Sequence, residues 1–349
     1  MKSYINKICH YIPETKVKNE YIEDLFELPH GWIEEKSGIK GPRGIMIDYS
    51  GLHPELEMTR RIFKKFINEN PNFNLQEIDC IITAGSSHTS NVPCGVDIAN
   101  EYQLNNPFCF EMGTHCSGAI TALEIAKNYI LSGRYNCIVI INSEVLGHAI
   151  WSTNKKASKA APLFGEGASL IVISNKKEGY EIGEFLTKCD TKTTPRPLTV
   201  SLEPPLEGET FFDAFSYFNE DFKKMSYAEK ISVNSKYGNM DGKAVYMFLS
   251  KNIPDLLDDT LAKNSLKKED IDWFIPHQAN KIINDGLAQR YGIHKDKHIT
   301  IVQDTANISS AGVMTALSIW NDKIKSGDNI LVFAFGLGMF GIAVTIKKI

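Results

Sequence analysis

The chain has 349 residues, 43% of them hydrophobic and 23% charged, with a formal net charge of −4. That balance is ordinary for a globular enzyme and gives no reason to expect nucleic acid or an anionic membrane as a partner. Seven cysteines, at 9, 80, 94, 109, 116, 137 and 189, show neither a C-x-x-C pair nor metal-ligand spacing, which suits free thiols in a reducing cytosol.

Met1–Lys7 lacks the apolar stretch of a signal peptide and no apolar run approaches membrane-spanning length, so a soluble cytoplasmic protein is expected. In chain order, Gly31–Ile39 ends a helix and runs into the Gly/Pro-rich loop 40–44, and 55–70 has the spacing of a charged amphipathic helix. Ile78–Gly85 reads as a strand entering a polar loop, Ser86–Asn91. Pro107–Phe110 is a short apolar strand that leads into Glu111-Met-Gly-Thr-His-Cys116-Ser-Gly118, and an amphipathic helix follows from Gly118, closed by Ser132-Gly133 with glycine at C′. A thiol at a helix N-terminus lies at the positive end of the macrodipole, which favours thiolate; a small buried core cysteine is the plain alternative. Cys137–Asn142 reads as a strand covered on both faces, and Leu163–Ile173 as a glycine turn feeding another. Residues 189–240 lose periodicity and crowd Phe211, Phe212, Phe215, Tyr217, Phe218 and Phe222 between proline breakers. The plain reading is a lid with its own small core; the functional alternative is that some of these rings line an apolar substrate channel.

The second half repeats the first. Gly118–Gly133 lies over Gly312–Gly327 without a gap, an offset of 194 (312 minus 118), with eight of sixteen positions identical. Upstream Ile78-Asp79 matches Ile271-Asp272, and downstream 137–141 matches 329–333. Three matched elements in one order predict two similar strand-helix-strand halves, 1–175 and 176–349, packed together. Cys116 then corresponds to Ser310, and His277 to Ala84. The halves carry different polar side chains at equivalent strand ends, where α/β proteins place ligands.

Three polar positions in apolar settings stand out: Cys116 at a helix start, His277 after the strand 272–276, and Asn307 ahead of the repeat-equivalent helix. Singly they read as a core thiol, a capping histidine and a turn asparagine. Together they suit acyl transfer, with a nucleophile and two donors for a thioester oxygen that gains negative charge.

Four motifs carry a resemblance across nearly the whole length: Cys116-Ser-Gly118, Phe164-Gly-Glu-Gly-Ala168, Ile275-Pro-His-Gln-Ala-Asn280 and Asn307-Ile-Ser-Ser-Ala311, with a glycine loop at 334–341. The chain resembles β-ketoacyl-acyl-carrier-protein synthase III, of the thiolase superfamily. The resemblance implies a thiolase-like α-β-α-β-α layered α/β fold of two pseudo-equivalent halves, the first bearing the nucleophile and the second the histidine and asparagine. It implies that Cys116 takes an acyl group from a coenzyme A or carrier-protein thioester, and that a malonyl thioester then decarboxylates and condenses with it. His277 and Asn307 would bind the malonyl thioester carbonyl, and the backbone N–H groups of Cys116 and Gly338 would form the oxyanion hole. Trp32, Lys36, Phe211 and Phe215 would line the substrate path, and Lys243, Lys251 and Lys281 would face an acidic acyl carrier protein. A homodimer is implied, with 81–110 contributing to its interface, and neither metal nor organic cofactor. Departures bear on the substrate: His115 before the cysteine, Ala306 in place of a glycine, Lys36 in place of an arginine, and Trp151–Lys156 where a second, adenine-stacking arginine is expected. They keep open a specialised ketosynthase, cyclase or acyltransferase of secondary metabolism with the same three residues.

Overall fold

The computed structural model describes residues 2–47, 53–86, 92–146, 160–190, 198–200, 238–240, 242–336 and 339–349, of which 198–200, 238–240 and 242–244 by backbone alone. A nine-stranded sheet is built from β1 (Tyr4–Tyr11), β2 (Cys80–Ala84), β3 (Phe108–Met112), β4 (Cys137–Val145), β5 (Glu166–Ser174), β6 (Tyr180–Cys189), β7 (Trp273–Ile275), β8 (Asn329–Gly336) and β9 (Phe340–Lys348). The helices around it include α1 (Asn19–Leu25), α2 (Trp32–Ser37), α3 (Pro54–Glu69), α4 (Cys94–Glu101), α5 (Gly118–Leu131), α6 (Gly242–Lys263), α7 (Lys281–Tyr291) and α8 (Gly312–Trp320). No helix among the described residues is long and apolar enough to cross a membrane.

Strand order is β7-β8-β9-β6-β1-β5-β4-β2-β3. It is symmetric about the β1–β6 junction, where the two strands meet over only Tyr4–Glu181 and Ile5–Tyr180. Outward from there, β1-β5-β4-β2 answers β6-β9-β8-β7. The first two pairings on each side are antiparallel and the third is parallel. The strands read from the sequence are present with shifted ends: the 107–110 run is 108–112, and the 163–173 run begins its strand at Glu166. The expected boundary near 175 falls in the turn between β5 and β6. β1 was not legible beforehand, because Asn6, Lys7 and His10 interrupt its apolar pattern while the strand is paired on both sides.

Strand residues alternate faces, and each sheet half buries both. Ile138, Ile140, Ile171 and Ile173 of the first half and Val332, Ala334, Ile342 and Val344 of the second pack with α5 and α8 in one apolar cluster. On the opposite faces, Val139, Ile141, Leu170 and Val172 pack against α3 and α4, and Leu331, Phe333 and Ala343 against α6 and α7. The layers therefore run helix, sheet, helix, sheet, helix, with α5 and α8 in the middle. This is why α5 is apolar nearly all round (Ala119, Ile120, Ala122, Leu123 and Ala126 are buried) rather than a one-stripe surface helix. It ends as expected, with Gly133 at φ 71.

Leu123 and its counterpart Leu317 are both fully buried in that middle layer. Leu123→Ala and Leu317→Ala are each expected to cost about 2–5 kcal/mol in chemical denaturation. A substitution costing less than about 1 kcal/mol would mean that its helix is not a middle-layer element.

Candidate active site

The middle-layer helices open on paired turns. His115–Ser117 precedes α5 and Ser309–Ala311 precedes α8, both as single 3-10 turns. His115 and Ser309, again 194 apart, both hold positive φ, 49° and 45°, a conformation that non-glycine residues adopt where surrounding structure imposes it. The turns touch because Gly118 has no side chain: a Cβ there would lie 3.2 Å from the Cβ atoms of Ala84 and Ser310. Cys116 is half-buried, and its Sγ accepts a hydrogen bond from the Ser309 hydroxyl at 3.4 Å. Burial pushes the thiol up to about 11, opposed by the Ser309 bond and helped by the nearby Glu144 carboxylate. At neutral pH the resting nucleophile is the thiol, in spite of its place at a helix N-terminus.

Asn307 is tied to the same turn, its Oδ1 accepting from the Ser309 backbone N–H at 2.9 Å. With Oδ1 so engaged, the amide nitrogen is left as the donor end of the side chain. The Phe164–Ala168 motif explains how the asparagine is held. Gly165 N–H donates to the Asn307 carbonyl and Asn307 N–H to the Leu163 carbonyl, both at 3.0 Å. A Cβ on Gly165 would stand 2.1 Å from the Thr305 carbonyl oxygen. Ala306, at φ 57 and ψ −172, occupies a region that is nearly glycine-only, so the chain retains here the backbone of the glycine it lacks.

His277 follows β7 and is 1% exposed. Its carbonyl accepts from Ala279 N–H and the Asn284 amide, each at 2.9 Å, and its ring stands edge-on to Phe335 with centroids 4.9 Å apart. Nδ1 has no hydrogen-bond partner among the described residues. Burial lowers the imidazole to about 4, so it is neutral at neutral pH, with one ring nitrogen a donor. Phe335 links it to the cysteine: the next residue, Gly336, lies where a Cβ would come within 3.1 Å of Ser117 Oγ and the Thr114 carbonyl. The rest of the string is scaffold. Gln278 donates to the Pro276 carbonyl and accepts from Ile301 N–H, and Asn280 caps α7 through Ile283 N–H while donating to the Lys36 carbonyl.

Glu144, at the carboxyl end of β4, is fully buried. It accepts from Ser86 N–H and Ser310 N–H, both at 3.0 Å, and from the hydroxyls of Ser310 and Ser86. Burial raises its carboxyl above the ordinary range, more than these bonds lower it. The Ser86 hydroxyl also meets Ser309 Oγ at 2.7 Å. The sequence reading missed Ser86, Ser309 and Glu144 as site residues. The one signal was an acidic residue ending the otherwise apolar and neutral run Cys137–Val145.

The remaining expected residues are dispersed. Trp32 is half-buried against the cluster of Ile22, Phe26 and Ile33, and exposed Lys36 pairs with Glu35. Lys281, paired with Asp285, lies beside them, since a Cβ on Gly38 would come within 2.8 Å of its Cβ. Lys251 is exposed on α6. Phe211, Phe215 and Gly338, and the side chain of Lys243, lie outside the described residues.

Two family profiles match the chain: 3-oxoacyl-[acyl-carrier-protein] synthase III at residues 110–191 and its C-terminal part at 261–348. A β-ketoacyl-[acyl-carrier-protein] synthase III of Clostridium perfringens strain SM101 is 30% identical over 340 residues, covering 97% of this chain and 96% of that protein. One of Azobacteroides pseudotrichonymphae is 28% identical, covering 98% and 96%. The crystal structure of 3-oxoacyl-[acyl-carrier-protein] synthase III from Aquifex aeolicus superposes with a TM-score of 0.80 over 99% of both chains at 24% identity. The priming β-ketosynthase of the R1128 polyketide pathway superposes at 0.81, over 100% of this chain and 96% of that one, at 23%. At these identities the structures establish a shared fold.

Gly165→Ala should destabilise the protein by about 1–3 kcal/mol or more, since its Cβ has nowhere to go. Gly286→Ala, with open space around it on α7, should stabilise by about 0.5–1 kcal/mol. A Gly165→Ala denaturation midpoint at or above that of wild type would refute this account of the Gly165 contact.

Proposed function

The chain belongs to the β-ketoacyl-[acyl-carrier-protein] synthase III family, and on that premise we propose how its own residues carry out a decarboxylative Claisen condensation of an acyl with a malonyl thioester. The observation that carries the assignment of roles is the joining of Cys116 and Asn307 through one residue, Ser309, at the opening of α5. Cys116 attacks the acyl thioester and becomes acylated, with the N–H groups of Cys116 and Gly338 stabilising the tetrahedral oxyanion. A malonyl thioester then enters. Asn307 Nδ2–H and the neutral imidazole of His277 donate to its carbonyl, loss of carbon dioxide leaves an enolate held by those two donors, and the enolate attacks the acyl-cysteine.

Burial supports the division of labour. A histidine lowered to about 4 is a weak base at neutral pH and a fixed, uncharged donor, which suits an oxygen that gains charge in a dry site. A carboxylate-bearing substrate is drawn to decarboxylate where no cation stabilises it and the product enolate is hydrogen-bonded. The exposed Lys251 and the partly exposed Lys281 would meet an acidic carrier protein, and Lys36 the incoming substrate. The dimer of this reading forms along β3, the sheet's edge strand, beside which Val92, Val96 and Phe108 are 50%, 43% and 47% exposed, an apolar edge that a second chain would cover. The acyl donor separates fatty-acid initiation from a specialised ketosynthase with the same site.

Intact-protein mass spectrometry after incubation with acyl-coenzyme A and acyl-carrier-protein thioesters should show a gain of one acyl group on wild type and none on Cys116→Ala. His277→Ala and Asn307→Ala should still capture acyl groups while malonyl decarboxylation falls by about 10²–10³-fold; lost capture with normal decarboxylation would overturn the roles given to them. Phe108→Lys should shift the molecular mass in light scattering from dimer to monomer, and a wild-type monomer at all concentrations would refute the edge-strand interface.

A further inference from the structure

Acylation of Cys116 requires its thiol to lose a proton, and burial has raised that thiol to about 11. His277 is a poor acceptor at about 4, and no hydrogen bond joins its Nδ1 to any described residue. A continuous path leads elsewhere. Cys116 Sγ is 3.4 Å from Ser309 Oγ, which is 2.7 Å from Ser86 Oγ, which is 3.3 Å from Glu144 Oε1. Each hydroxyl can accept one hydrogen bond while donating another, so the chain can run in either direction.

We propose that Glu144 takes the Cys116 thiol proton through the hydroxyls of Ser309 and Ser86, and returns it along the same path when condensation releases the sulfur. This rests on the acyl-Cys116 reading above. At rest the Ser309 hydroxyl donates to Sγ; for transfer the hydroxyls turn so that Sγ–H donates to Ser309, Ser309 to Ser86, and Ser86 to the carboxylate. As the Sγ–H bond breaks and the Sγ–acyl carbon bond forms, each hydroxyl passes on its own proton and takes up the one behind it, leaving Glu144 as the acid. The departing thiolate of the acyl donor takes one proton from solvent. The later attack of the enolate breaks the Sγ–acyl bond, and the thiolate so formed recovers its proton from Glu144. One cycle consumes one proton from solvent, as decarboxylation of a malonate requires.

The surroundings fit this use. Burial raises the Glu144 carboxyl and lowers His277, so of the two the carboxylate is the stronger base. Placing the proton on Glu144 also removes the one ionised group that opposes a thiolate at Cys116. The groups that face Glu144 are the hydroxyls of Ser86 from the loop after β2, Ser309 and Ser310 from the turn before α8, and the Cys116 thiol from the turn before α5. Glu166 on neighbouring β5 pairs with Val145, so its side chain points to the opposite sheet face, where it accepts from Met46 N–H. A purely structural Glu144 would tie the Ser86 loop to the Ser310 turn. Ser309→Ala separates the two roles, because it removes the hydroxyl at Cys116 Sγ and leaves the bonds from Ser86 N–H, Ser310 N–H and Ser310 Oγ to Glu144.

The test is the pH dependence of Cys116 reactivity in wild type, Ser86→Ala, Ser309→Ala and Glu144→Gln, each with the matching Cys116→Ala background subtracted. Two reagents are used, an accepted acyl thioester and iodoacetamide. In wild type both rates should fall with decreasing pH as Glu144, whose carboxyl burial raises, becomes protonated and cannot accept. In Ser309→Ala both should drop about 10²-fold in the pH range where wild-type Glu144 is ionised, then climb with pH toward the thiol's own value and rejoin wild type in strong alkali. Ser309→Ala decides the matter if Glu144→Gln does not fold, and Ser86→Ala tells whether Ser86 carries the proton between them. A Ser309→Ala profile that overlies wild type for both reagents overturns the relay. Wild type that is alkylated but never acylated overturns the functional reading instead, and the alkylation profiles then still decide the relay.

Discussion

The contact on which the molecule depends is the meeting of two helix starts at its centre. The turns before α5 and α8 approach until Gly118 leaves only 3.2 Å between its missing Cβ and that of Ser310. A side chain at Gly118 would force the Ala84 and Ser310 side chains to give by a few tenths of an ångström, at the point where the site is assembled. The same proximity makes chemistry available, because it lets a cysteine from one half and a serine from the other share a hydrogen bond. Architecture and site are one packing solution: both sets of strands deliver their carboxyl ends to the place where the helices begin.

Burial sets the protonation of everything there. Removing water disfavours the charged form of each group, so the Cys116 thiol and the Glu144 carboxyl rise and the His277 imidazole falls. The result is a site whose resting groups are pushed toward neutrality, in which a charge created by reaction meets fixed donors instead of reorganising solvent. The macrodipole of α5 is worth at most about 2 kcal/mol in a partly buried setting. It does not overcome the desolvation of a thiol raised to about 11, which is why the hydroxyl chain behind the sulfur matters.

Glycines near the site mark close approaches of backbone. Gly165 admits the Thr305 carbonyl and so lets the 163–165 and 305–307 segments exchange the hydrogen bonds that hold Asn307. Ala306 holds a nearly glycine-only conformation at φ 57, and the paired positive φ values of His115 and Ser309 show the same demand made of non-glycine residues by the tight turns. Strain at these positions is held by the fully packed middle layer around them.

The sequence by itself determined the two-half organisation, because a packed repeat must conserve its apolar periodicity and that periodicity is visible in Gly118–Gly133 and Gly312–Gly327. It also singled out Cys116, His277 and Asn307 as polar residues at element ends in apolar surroundings. Strand β1, with its interleaved polar residues, and the β1–β6 junction were not legible, since pairing on both sides buries a pattern that reads as amphipathic or irregular. Nor was the role of Ser86, Ser309 and Glu144. They lie 58 and 223 residues from one another along the chain, and serine is too common in loops to point to a site. Only the tertiary structure decides which hydroxyls line up, because hydrogen-bond reach is a distance in space, set here by the packing of two helix starts against the ends of β2 and β4.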